Sequence, residues 1–309
     1  MAPDSTLPAT VPFLKPDSPS RSKFRVRFCK SGDLRLVSHH DLMHVFERMF
    51  RRADLPIPTT QGFNPRPRMW FALSLALGIA GLNEVLEFEV AASLSAEEVE
   101  GRLIAQCPPG LVIVSLRAID VKASAHVRRG WYRLSWAGSK AMRNEERGIR
   151  NEESIPAEKT SSFQIPRSSF LIALDPPEVE SRCRAFLLQE AHWVTRIRPQ
   201  HRRINIRPYV DELRCAEDYL AMALWITPNG AARPEEIVAA LGLQDLLDAG
   251  AVIERTDLEI YDELPPDVTG PPVMQAANEE TGANDGISLQ TPLAARPTAI
   301  IDSPFSFDT

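Results

Sequence analysis

The chain has no CxxC pair, no apolar run near the ~20 residues a bilayer crossing needs, and no recognisable catalytic signature. Its four cysteines, Cys29, Cys107, Cys183 and Cys215, are widely scattered. That spacing argues against a disulfide framework and against a zinc site, and it fits a reducing cytoplasm. Residues 1–21 are rich in Pro and Ser but lack the basic start and continuous apolar core of a signal peptide. No GxSxG, Walker loop or GxGxxG occurs. The acidic residues form no pair that spacing alone marks as acid and base.

Charge is unevenly distributed. The formal net charge is −6 over 309 residues, yet Asp257–Thr309 holds ten acidic residues and one basic. That stretch contributes −9, so residues 1–256 carry +3. Arg21–Arg68 has eleven Lys/Arg against four Asp/Glu, and His192–Arg214 has six against two. Such clustering is either a set of ordinary solvated helix faces or a positive patch that attracts nucleic acid.

Periodicity reads as an α+β fold with two ferredoxin-like (split βαβ) halves. Lys23–Cys29 alternates as a strand, and Leu34–Val37 either pairs with it or leads into a helix. Ser38 with Asp41 forms a capping-box start. Leu42, Val45, Phe46, Met49, Phe50 and Ala53 then fall on one helix face. His40, His44, Arg48, Arg51 and Arg52 fall on the other, with Glu47 spaced to pair Arg51. Arg68–Leu75 and Glu84–Ala91 read as strands, Ser95 with Glu98 opens a second helix, and Leu111–Ile119 is a further strand. In the second half Trp131–Trp136, Val194–Arg198, Arg203–Arg207, Tyr219–Thr227 and Ala251–Ile260 read as strands. Pro234–Leu241 is a helix and Gln244–Ala249 a short helical turn.

The domain boundaries expected are a disordered segment 1–21, a ferredoxin-like domain 22–122, a second α+β half 123–262, and a disordered acidic tail 263–309. Within 137–170, RNEE recurs at Arg143 and Arg150, and SSF at Ser161 and Ser168. No apolar seam accompanies the repeats, so the segment reads as a disordered, duplicated insertion rather than a coiled coil.

The densest chemistry lies between Ser38 and Gly78. Gly62-Phe63-Asn64-Pro65-Arg66-Pro67-Arg68 combines a permissive glycine, a turn-forming Asn-Pro and a second proline, so the loop loses little entropy on gripping a ligand. Arg66 and Arg68 can fork onto phosphate, and Phe63 can stack on a base. Arg48, Arg51 and Arg52 add phosphate contacts. The expectation is that turn and helix converge on one open surface that binds RNA. His39 and His44 are the weak candidates for a general acid or base. Arg203, Asn205 and Arg207 would share one face of an edge strand and could track a sugar–phosphate backbone, although charges on exposed strands also block aggregation. The His40/His44 pair sits at zinc-like spacing, but no third ligand accompanies it. No metal or cofactor is expected.

The helix start SHHDLMHVFERMFRRADLP, the loop QGFNPRPRMWFALSLALG, the later IRPYVDEL and the ending ERTDLEIY together resemble the radical SAM-linked (radical SAM-associated) protein family, a bacterial domain family. The likeness spans roughly residues 22–262 apart from the insertion. His39, Asp41, Gly62, Phe63, Asn64, Pro65 and Pro67 match its motif. His40 stands where the pattern carries an apolar residue, and Arg66 where histidine is common. This chain has no CxxxCxxC run to hold an iron–sulfur cluster. The resemblance therefore implies an accessory protein that presents a substrate, RNA being the candidate, to a separate radical SAM enzyme. An RNA-acting enzyme (a nuclease or modification enzyme) and a protein–protein adaptor are the alternatives.

Overall fold

Alternation in the first strand sets the whole layout. In β1 (Ser22–Lys30) the odd and even residues part company. Phe24, Val26 and Phe28 are fully buried under the helices, while Lys23, Arg25 and Arg27 face the other side of the sheet. The computed structural model describes residues 21–61, 63, 65–136, 174–197, 201–265, 268 and 271. The expected insertion 137–170, most of the acidic tail and all but the last residue of segment 1–21 lie outside these residues.

The chain continues through α1 (His39–Arg52), β2 (Met69–Phe71), β3 (Ala80–Val90), α2 (Ala96–Ile104), β4 (Leu111–Ile119) and β5 (Val127–Ser135). After the insertion come α3 (Pro176–Leu187), β6 (Trp193–Arg196), β7 (Arg202–Asn205), β8 (Val210–Cys215), β9 (Tyr219–Trp225), α4 (Pro234–Ala240), α5 (Gln244–Asp248) and β10 (Ile253–Ile260). The fold is mixed α/β. Among the described residues no helix is long and apolar enough to cross a membrane.

Eight strands form one sheet in the order β4-β1-β3-β10-β5-β9-β8, with β2 beside β3, and β6 pairs only with β7. All pairings are antiparallel except β3 with β10, where Ala80 and Gly81 meet Glu254 and Arg255 in parallel. The first six elements thus lie as β4-β1-β3-β2. From β5 onward the order β10-β5-β9-β8 repeats it, with β6–β7 inserted. One sheet therefore spans both sets of strands.

Each half has its own apolar core on the helical side. Leu42, Phe46, Met49 and Phe50 of α1 pack with Phe24, Phe28, Leu86 and Phe88, and Val99 and Leu103 of α2 join them. In the second half Val179, Cys183 and Phe186 of α3 pack with Leu134, Leu213, Leu220, Met222, Leu224, Ile237 and Ile253. Ser38 caps α1 as expected, accepting the Asp41 N–H at 3.1 Å, and Ser95 does the same for Glu98 at 3.1 Å.

The opposite face of the first half is charged, and Asp262 and Glu263, just after β10, cover part of it. Arg25 lies directly across from Glu87 in the β1–β3 register and is only 2% exposed. It donates to Glu87, Asp262 and Glu263. Glu263 also accepts from Arg27 and from Arg117. Three guanidinium groups around it hold its carboxyl down at about 2. At the joint between halves, Arg255 of β10 is buried against Glu84 and donates to the carbonyls of Leu73 and Ser74, at 3.2 and 3.0 Å.

That last contact explains one departure from the sequence reading. Arg68–Leu75 reads as a long strand, but only Met69–Phe71 pairs with β3. Beyond it the Leu73 and Ser74 carbonyls are taken by Arg255, and the start of β3 is already paired to β10. Leu34–Val37 takes the second of its two expected courses: Gly32–Leu36 is a 3₁₀ turn leading into α1.

Candidate nucleic-acid interface

Helix α1 is strongly two-faced, and its polar face meets the Pro56–Arg68 turn across an open cleft of about 630 Å³. His40, His44, Glu47 and Arg51 line it from the helix, and Thr59, Pro65, Arg66 and Pro67 from the turn. Met43, Phe50, Leu55 and Ile57 supply apolar wall. The spacing 40, 44, 47, 51 is one stripe along a helix, which is why these four residues share the cleft.

The turn is pinned from within. The Thr60 N–H donates to the Arg66 carbonyl at 2.8 Å, and the Arg66 N–H donates to Thr60 Oγ1 at 3.0 Å. The Arg68 N–H reaches the Pro58 carbonyl at 2.8 Å, and Thr59 bridges Pro67. This narrow, proline-braced neck holds Arg66 against the helix while leaving its side chain exposed. Phe63 at the tip is fully exposed, at 102%. Gly62 and Asn64 lie outside the described residues.

Of the residues expected to act together, His44, Arg51 and Arg66 meet in this cleft. Arg48 and Arg52 are exposed on the same helix but do not line it. Arg68 is committed elsewhere: its guanidinium reaches both carboxylate oxygens of buried Glu89, at 3.1 and 3.2 Å. Its assignment as a free phosphate contact is therefore corrected to a turn-to-sheet clamp, because an ion pair with a buried carboxylate is costly to break. Glu47 does not pair with the Arg51 guanidinium through its carboxylate. It meets His44 Nδ1 at 2.9 Å instead, and Arg51 Nε points to the Glu47 backbone carbonyl at 3.4 Å.

His39 sits apart from the cleft. Its ring packs edge-on to Phe71 at 4.9 Å, and its Nδ1 is buried without a hydrogen-bond partner. Burial and then the nearby cations Lys30, Arg255 and His40 push its pKa below the ordinary histidine value, so the ring is neutral at pH 7. The His40 and His44 rings meet edge to face at 4.6 Å. Among the described residues no three His, Cys, Asp or Glu side chains are grouped to hold a metal ion.

The second basic segment is also rearranged. Strand β7 ends at Asn205, and Arg207 lies in a 3₁₀ turn. Arg207 donates to the Leu187 carbonyl twice and to the Val210 carbonyl once, and burial lowers its pKa. Asn205 Oδ1 accepts from the His192 and Arg207 N–H groups. Arg203, Asn205 and Arg207 are thus not one outward face: the last two are anchors, and Arg203 alone is presented, over the ring of Trp193 at 5.1 Å. Trp193 carries little weight in a sequence reading, because nothing about a lone tryptophan separates a presented ring from a core one.

Against known proteins, the family described as an uncharacterized protein conserved in bacteria (DUF2344) matches residues 23–234, and the chain belongs to that family. The match takes in α1, the turn and the β6–β7 hairpin. No curated protein matches.

Proposed function

We propose that this chain is an RNA-binding protein whose primary contact is the cleft between α1 and the Pro56–Arg68 turn. The observation that carries the proposal is the convergence of Arg51 and Arg66, from separate elements, on one open cleft flanked by His40 and His44. A guanidinium group on a rigid neck facing another on the helix suits phosphate oxygens, and the exposed ring of Phe63 suits a base. Each half of the sheet is read here as ferredoxin-like, with the helices on one face and the strand order repeated.

Binding of a labelled single-stranded RNA, measured against salt, tests this reading. Replacing both Arg51 and Arg66 by alanine should weaken binding across sequences and flatten the slope of log K against log salt by about 1.4, two phosphates' worth for a single strand. Phe63→Ala should weaken it by roughly 1–3 kcal/mol, the range for one base stack. Arg68→Ala should leave the salt slope unchanged. Equal binding by wild type and the Arg51/Arg66 variant would overturn the proposal.

The partner is a separate radical SAM enzyme to which the bound RNA is presented, a role that rests on the family resemblance. Co-purification of such an enzyme with the full chain from native cells tests it. A second reading, an RNA-acting enzyme, is favoured by one observation: the His44–Glu47 pair at 2.9 Å lines the same cleft as the two arginines. A carboxylate-oriented imidazole beside a phosphate site is the arrangement a general acid or base needs. RNA cleavage by the purified chain, abolished in His44→Ala with binding retained, would establish that reading. RNA left intact by wild type would end it.

A further inference from the structure

The β6–β7 hairpin stands outside the main sheet, and its base is held unusually firmly for a four-residue ribbon. Arg196, 8% exposed, forks onto Glu236 of α4 at 2.6 and 2.7 Å and reaches the Ala231 carbonyl at 2.8 Å. Asn205 closes the other strand against His192 and Arg207, and Arg207 ties it to the end of α3. Val194 and Ile204 pack inward on the second core. Three buried or half-buried polar anchors and two apolar ones therefore fix the orientation of whatever the outward face carries.

That face carries a stacking pair whose cation has no acidic partner among the described residues. Thr195 is opposite Arg203 in the register, so Trp193, Thr195 and Arg203 lie on one side. Trp193 is 41% exposed with the Arg203 guanidinium over its ring at 5.1 Å. His201 is exposed next to the strand, and Arg202, paired across to Arg196, is exposed on the opposite side of the ribbon. Among the described residues Arg202 and Arg203 have no ion-pair partner, unlike Arg25, Arg27, Arg117 and Arg129, which are all paired. From His192 to Val210 the sequence holds five arginines and no aspartate or glutamate, and among the described residues of this stretch only Arg196 is neutralised by an acid from another element.

We infer that the outward face of this hairpin is a second RNA contact, specific for single-stranded segments, in which a base stacks on the Trp193–Arg203 pair while the Arg203 guanidinium meets a flanking phosphate. Stacking on an exposed ring needs an unpaired base, and a duplex offers none. The unpaired positive charge selects a polyanion, and the pre-set ring lowers the entropy lost on binding. The inference shares the RNA premise of the cleft reading but uses none of its residues.

The test uses the full chain and fluorescence anisotropy with a short labelled oligouridylate, the same strand in duplex form, and polyglutamate. Trp193→Ala should weaken oligouridylate binding about ten-fold, within the range for one base stack, and Trp193→Phe should restore most of it. Arg203→Ala should reduce the salt slope by about 0.7. All three substitutions lie on the exposed face, and unchanged thermal melting shows that the anchors still hold. Wild-type affinity in Trp193→Ala, duplex bound as tightly as single strand, or polyglutamate bound as tightly as RNA would each overturn the inference. Loss in the Arg51/Arg66 variant with none in the hairpin variants sinks this inference alone. Loss only in the hairpin variants sinks the cleft reading alone, and absence of binding by wild type sinks both.

Discussion

Single residues in this protein divide into those that hold a charge in place and those that present one. Arg255, Arg25 and Arg207 are the first kind, and Arg51, Arg66 and Arg203 the second. A run of arginines in sequence does not separate them, because the partner carboxylates or carbonyls come from distant positions: Glu89 for Arg68, Glu84 for Arg255, Leu187 for Arg207. Glu84→Gln should therefore cost roughly 3–5 kcal/mol in urea unfolding, since it leaves Arg255 buried without a counter-charge. Gly81 belongs to the same joint. A Cβ on it would enter the volume of the Glu84 side chain, so Gly81→Ala should destabilise by about 1–3 kcal/mol, the usual cost of overpacking.

His39 gives a pH signature at the same scale. Its folded pKa lies below the ordinary value of 6.5, so the unfolded chain binds the proton first. The stability tied to the neutral ring is fully present above that ordinary value and is lost as pH falls below it. Unfolding free energy measured from pH 7.5 to 5 should decline in wild type and decline less in His39→Leu. An equal slope in both would show that the ring titrates freely.

Among the elements, those with a local physical signal were legible in the sequence. Phe24, Val26 and Phe28 alternate cleanly, so β1 was readable. Ser38 and Ser95 cap helices whose apolar stripes are strong, so α1 and α2 were readable too. Ser38→Ala should cost about 1 kcal/mol through loss of that cap, checked by thermal melting. Two elements were missed. Helix α3 starts with two prolines and buries only Val179, Cys183 and Phe186 among charged neighbours, a faint stripe directly after a low-complexity stretch. Strand β8 reads VDELRC, and its polarity hides it because it sits at the sheet's edge with β9 as sole partner. The cleft was half legible: α1's face and the turn were visible separately, whereas which side of the turn faces the helix depends on Thr60 gripping Arg66 and on Arg68 being drawn to Glu89.

For the molecule as a whole, the charged sheet face under Asp262 and Glu263 fastens the end of the fold to its beginning. Glu263 has its carboxyl at about 2 against an ordinary 4.5, so the attachment is complete above pH 4.5 and weakens as pH falls through 4.5 toward 2. Melting temperature should drop over that interval. Glu263→Gln should remove on the order of 2 kcal/mol at neutral pH and blunt the acid transition. A variant that melts like wild type at both ends would mean Arg25, Arg27 and Arg117 find other partners at no cost.

The parallel pairing of β3 with β10 reaches beyond equilibrium stability. Because β10 lies in the interior of the sheet, a nascent chain must hold a slot open between β3 and β5 until β10 has been translated. Ribosome-stalled or prematurely terminated products ending before Ile253 would display the whole β10 side of β5 and the short Ala80–Gly81 end of β3, each a template for intermolecular pairing. Such fragments should be cleared by quality-control proteases or recovered in inclusion bodies, and supplying a β10 peptide in trans should rescue them.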